Sequence, residues 1–105
     1  MDKPKITIRH YKINVRIRCI DDMPELRTKG YPVVLKGFEK YKFAVHLKIS
    51  YTDSKAWVVT EMSSGIAFNG GFDTRMQAAE NAYEELKTHE EKFIKKIKKF
   101  QFQDK

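Results

Sequence analysis

Hydrophobic and polar residues alternate through most of the first two thirds of the chain. Ile6 and Ile8 are followed, in the opposite phase, by Ile13, Val15, Ile17 and Cys19, with the register changing around His10-Tyr11. Strand side chains point to opposite faces in turn, and one inserted residue swaps the faces. The pattern therefore predicts a long N-terminal strand over residues 5–19 with a bulge or bend at His10-Tyr11. Its polar side, Lys12, Asn14, Arg16 and Arg18, is markedly basic. Asp21-Asp22-Met23-Pro24 stops the strand, and Lys29-Gly30-Tyr31-Pro32 and Lys36-Gly37 punctuate the next stretch of chain. Residues 20–41 are expected to be mostly loop, with a short strand at most over Val33-Val34-Leu35.

Phe43, Val45, Leu47, Ile49 and Tyr51 then alternate strictly with Lys42, Ala44, His46, Lys48 and Ser50, the pattern of a strand with one buried face. Thr52-Asp53-Ser54 turns the chain into a second strand around Trp57-Val58-Val59-Thr60. Ser63-Ser64-Gly65 turns it again into a short third, Ile66-Ala67-Phe68. Residues 42–69 thus read as a β-meander. Past Asn69-Gly70-Gly71 the period changes. Asp73 is placed to cap a helix start, its carboxylate accepting free backbone N–H groups of the first turn. Met76, Ala79, Tyr83 and Leu86 form one apolar stripe at three- and four-residue steps, and Phe93, Ile94, Ile97 and Phe100 resume it. A continuous helix over residues 74–100 would be about 40 Å long at 1.5 Å per residue, so part of it must overhang the sheet or pack elsewhere. The expected fold is α+β: an antiparallel sheet of three to four strands, a β-β-β-α core with an extra N-terminal strand, packed on one long C-terminal helix in a single domain.

Within this frame, Ala56-Trp57-Val58-Val59 and the run from Gly71-Phe72-Asp73-Thr74 through Glu80-Asn81-Ala82 to Leu86 resemble the β-β-β-α unit of HicB-like antitoxins. In those a Gly-Asp-Thr type helix start leads into an Ala-rich, Glu-Asn-Ala helix. The same outline, over about residues 41–92, is similar to half of a double-stranded-RNA-binding domain. Such a domain begins with a helix, however, and places several Lys near its last helix, where this chain offers Arg75. The resemblance implies a fold and no functional residue. A short, Lys-rich chain of this kind also resembles accessory proteins of phages and mobile elements.

Charge sharpens the picture. The chain has 105 residues, 33% of them charged, and a formal net charge of +7. Residues 1–52 hold 12 Lys/Arg against 5 Asp/Glu and residues 92–105 hold 6 against 1, so two basic zones flank a mildly acidic middle. Such a field attracts polyanions or an acidic protein surface. No apolar run approaches the ~20 residues of a membrane span, and no signal peptide is evident at the N-terminus. Cys19 is the single cysteine, which excludes an internal disulfide and fits a reducing, cytoplasmic setting. His10, His46 and His89 show no metal-ligand spacing, and no nucleophile stands beside a base in any known motif, so neither a catalytic site, a metal nor a cofactor is expected.

The candidate contacts are therefore polar and cationic. On the sheet they are Lys12, Arg16, Arg18, Lys42, His46 and Lys48, expected to share an open face, with Trp57 available to stack on a base. On the helix end they are Lys95, Lys96 and Lys99. The interleaved Phe93, Ile94, Ile97 and Phe100 are expected to find cover, either in a homodimer or by folding back onto the same chain. Two functions fit: a non-enzymatic nucleic-acid or nucleoprotein binder, or a phage-type inhibitor, antitoxin-like or antidefence, that captures a host protein.

Overall fold

A computed structural model of the chain describes residues 5–17, 26–47, 56–68 and 71–100. Six strands, β1 (Ile6–Ile8), β2 (Ile13–Ile17), β3 (Leu26–Leu35), β4 (Phe43–Leu47), β5 (Trp57–Glu61) and β6 (Ile66–Ala67), precede one helix, α1 (Arg75–Phe100). The architecture is α+β, with every strand pair antiparallel and the order β1-β3-β4-β5-β6; β2 pairs β3 beside β1. The expected bend at His10-Tyr11 is the break between β1 and β2, and both pieces run along the same partner.

That partner is the principal departure from expectation. Residues 26–35, expected to be mostly loop with a short strand at Val33-Val34-Leu35, form a ten-residue strand, and the strand count is six where three or four are expected. Pro32 sits within it, paired with Ala44. Backbone groups of alternate residues face the same neighbour, so the N–H that Pro32 lacks would point the same way as its carbonyl. That carbonyl accepts from Arg9 N at 2.9 Å, in the gap between β1 and β2. The missing donor thus faces the end of β1 and not β4, so the β3–β4 ladder is left intact.

Residues 75–88 of α1 lie over one face of the sheet. Ala78, Ala79, Ala82 and Leu86 are buried against Val33, Leu35, Phe43, Val45, Val59 and Phe68. The stripe that packs is this small-residue one; Met76, placed in it by the sequence pattern, is 43% exposed. Phe38 closes the side of the core, its ring edge-on to Tyr83 at 6.0 Å. The helix cap is Thr74, one residue later than Asp73: Thr74 Oγ1 accepts from Gln77 N at 3.1 Å. His89 has φ −130° and ψ 38°, so α1 kinks there. Beyond the kink Phe93 stacks on Phe68 at 4.4 Å and 16°, and Ile97 is buried. The overlong helix of the sequence pattern is resolved by this bend.

Candidate nucleic-acid interface

Residues 13–17 of β2 and 26–30 of β3 form a two-stranded ribbon, because β4 pairs only with Tyr31, Pro32 and Val33. The register opposes Val15 to Thr28 and Ile13 to Gly30, so these four share one side. Asn14 opposite Lys29 and Arg16 opposite Arg27 share the other side, with Lys12 next in line. The apolar side is turned inward, Val15 being fully buried. Its position follows from Gly30: a Cβ there would lie 3.1 Å from Val15 Cγ2, 3.2 Å from His46 Cβ and 2.8 Å from the Val45 carbonyl oxygen. The ribbon therefore lies against the His46 side of β4, the side away from α1, and glycine is what permits the approach.

The single open basic face expected from the sequence is thereby divided. On β4 and β5, Ala44, His46, Val58 and Thr60 point away from the helix and all four are buried. His46 is 2% exposed; its Nδ1–H donates to the Leu47 carbonyl at 2.9 Å, and its Nε2 accepts from Thr60 Oγ1 at 2.7 Å. Both nitrogens of a neutral ring are thus satisfied. Burial pushes its pKa below 6.5, partly opposed by the bond to Leu47. His46 belongs to the interior. Lys42, exposed at the start of β4, is separated from the ribbon cations, while Arg18 and Lys48 lie outside the described residues. Lys12 and Arg16 face outward as expected, Lys12 exposed and Arg16 half-buried.

Arg27 and Lys29, both exposed, were hidden in the supposed loop. The signal was present: Arg27-Thr28-Lys29-Gly30 alternates long basic with small residues in the period of a strand. The outer face now carries Arg16, Arg27 and Lys29 with Asn14, exposed Lys12 directly precedes β2, and residues 12–17 and 26–30 contain no acidic side chain. Arg16 and Arg27 each also interact within the chain.

Tyr31 continues the same side of β3, and there the surface becomes aromatic. Trp57 lies 6.4 Å from Tyr31, and the Arg75 guanidinium sits 4.6 Å from the Tyr31 ring centre and 5.7 Å from that of Trp57. Trp57 is half-buried; Arg75 over it occupies a position a stacking base would need. The backbone before α1 sets this up, with Trp57 N donating to the Phe72 carbonyl at 2.8 Å and Gly71 turning at φ 104°.

At the helix end Lys95, Lys96 and Lys99 are exposed, Lys99 over the Phe100 ring at 5.3 Å. Phe93 and Ile94 are half-buried and Ile97 buried, so this stripe folds back largely onto its own chain, with Phe100 36% exposed. An open depression of about 330 Å³ lies inside the kink, where Glu85, His89, Lys92 and Lys96 surround Phe68 and Phe93.

Glu61 is a further feature the pattern did not disclose. Only 1% exposed, its carboxylate accepts from Ser63 N at 2.9 Å, Ser63 Oγ at 2.6 Å, Ser64 N at 3.0 Å and Ser64 Oγ at 2.9 Å. Those four donors tie the β5–β6 turn together and leave the group structural. Among the described residues no group of three His, Cys, Asp or Glu is arranged to hold a metal, and no helix is long and apolar enough to cross a membrane. Comparison with family models, with curated proteins and with solved structures finds no match.

Proposed function

We propose that this chain is a non-enzymatic nucleic-acid-binding protein whose principal contact surface is the outer face of the β2–β3 ribbon, with the Lys-rich end of α1 as a second cationic contact. One observation carries the reading. The β2–β3 register gathers Arg16, Arg27 and Lys29 with Asn14 on one outward side of a ribbon whose other side is packed on the sheet, and exposed Lys12 directly precedes β2. Cations at that density neutralise phosphates and release their counterions, which is the main source of affinity for nucleic acids. A rigid backing of buried Val15 and His46 holds them in a fixed array.

A salt-titrated anisotropy assay with labelled duplex DNA, duplex RNA and single strands tests it, comparing wild type with Arg16→Glu/Arg27→Glu. Each cation that meets a duplex phosphate adds about −0.9 to the slope of log K against log salt, so binding weakens as salt is raised. The double variant loses binding while its circular dichroism spectrum at the assay temperature remains that of a folded protein. No binding of any nucleic acid at about 50 mM salt, the condition most favourable to phosphate contacts, overturns the reading. The inhibitor function, capture of an acidic protein surface by the same array, would then be the one to pursue.

A further inference from the structure

The ribbon's shape and side-chain set go beyond a general attraction to phosphates. Residues 26–30 of β3 pair with β2 alone, and β2 pairs with β3 alone among the described residues, so this part of the sheet is two strands wide. Adjacent strands lie about 4.8 Å apart, and the major groove of B-form DNA, about 12 Å wide and 8.5 Å deep, admits either a helix or a two-stranded ribbon. The outward side chains form a two-by-two array, Asn14 with Lys29 and Arg16 with Arg27, its rows about 7 Å apart along the strands. Arg and Lys are suited to guanine O6 and N7, and Asn to adenine N6 and N7. Asn14 is the telling member. A surface that only tracked phosphates would gain from a fifth cation there; an exposed amide amid four cations is the group that distinguishes one base edge from another.

We infer that the ribbon docks face-on in the major groove of duplex DNA, with Asn14, Arg16, Arg27 and Lys29 directed to base edges and Lys12 to a flanking phosphate. This rests on the nucleic-acid reading above and narrows it to one substrate class. Duplex RNA is a poor fit, because its A-form major groove is too deep and narrow for side chains to read. Single strands offer no groove. The array spans only a few base pairs, so the recognised element is short.

The test combines three probes on the full chain: duplex DNA, duplex RNA and single-stranded DNA of matched length at one salt concentration; competition by methyl green, a major-groove ligand, and by distamycin, a minor-groove ligand; and enrichment from a randomised duplex library. The expected result is preference for duplex DNA, competition by methyl green and not distamycin, and enrichment of a short element. Asn14→Ala then lowers discrimination at one or two positions of that element on the order of 10-fold, whereas Lys12→Gln weakens all sequences alike. Both residues are exposed, so the variants are expected to fold as wild type does. Equal binding to duplex RNA or single strands, or competition by distamycin alone, overturns groove docking while leaving nucleic-acid binding standing. Absence of binding to every nucleic acid overturns both.

Discussion

Replacing Gly30 by alanine tests the packing of the ribbon on the sheet, and its cost can be worked from the contacts. Gly30 is not among the glycines with positive φ, which among the described residues are Gly37, Gly65 and Gly71, so alanine meets no backbone penalty there. Removing glycine would by itself stabilise the chain by about 0.4–1 kcal/mol through lost freedom of the unfolded state. Against this, the new methyl would sit 2.8 Å from the Val45 carbonyl oxygen, closer than the 3.0 Å that real Cβ atoms essentially never breach, with Val15 Cγ2 and His46 Cβ at 3.1 and 3.2 Å. The oxygen belongs to the backbone of a central strand and cannot rotate away, so β3 must move off β4. Overpacking of this kind costs roughly 1–3 kcal/mol, which outweighs the entropic gain and leaves a net loss of about 1–2 kcal/mol. For a domain near 100 residues that lowers the unfolding temperature by roughly 4–16 °C. Circular dichroism melts of wild type and Gly30→Ala measure it, with Gly30→Val expected to fall further. A Gly30→Ala protein as stable as wild type, or more so, would refute the close approach of ribbon to sheet.

The interior and the helix start supply two more predictions. His46 has a folded-state pKa below its unfolded value because burial disfavours the imidazolium, so the unfolded chain takes up the proton first as acid is added. The stability it confers is complete above 6.5 and is lost as pH falls toward the lower folded pKa; in urea titrations across that range, His46→Gln should show a weaker acid dependence than wild type, and identical profiles would discount the buried neutral ring. At the helix start, Thr74→Ala should destabilise the protein by about 0.5–2 kcal/mol and Asp73→Ala by clearly less, since Thr74 supplies the cap; the reverse order in thermal melts would return the cap to Asp73.

Much of this architecture is written in local periodicity. The alternation from Lys42 to Ser50, the phase change at His10-Tyr11 and the three- and four-residue spacing after Thr74 led directly to β4, the β1–β2 break and α1. The failure at β3 has a physical origin: Gly30 and Pro32 ordinarily oppose a strand, but here glycine admits a crossing neighbour and the donor missing at proline faces the end of β1 and not β4. Both conditions are set by tertiary contacts that no local window contains. The same limit governed the site. Alternation showed that Lys12, Asn14 and Arg16 share a side, and that Ala44 and His46 share another, but not that the ribbon folds Val15 onto the latter. Only the register brought Arg27 and Lys29 opposite Arg16 and Asn14. At the helix end, the apolar stripe promised cover without naming it, and the kink at His89 lets the same chain provide most of it.

Whether the outer face of the ribbon is where nucleic acid binds can be addressed residue by residue. Two-dimensional amide NMR of the labelled protein, titrated with a short DNA duplex at low salt, is the most direct measurement. Shifts are expected to concentrate on residues 12–16 and 27–31, with a smaller set on the Lys-rich turns of 92–99, and to reverse as salt is raised. Ribbon amides that stay in place while the duplex binds elsewhere, or a spectrum that duplex leaves unchanged, would contradict it.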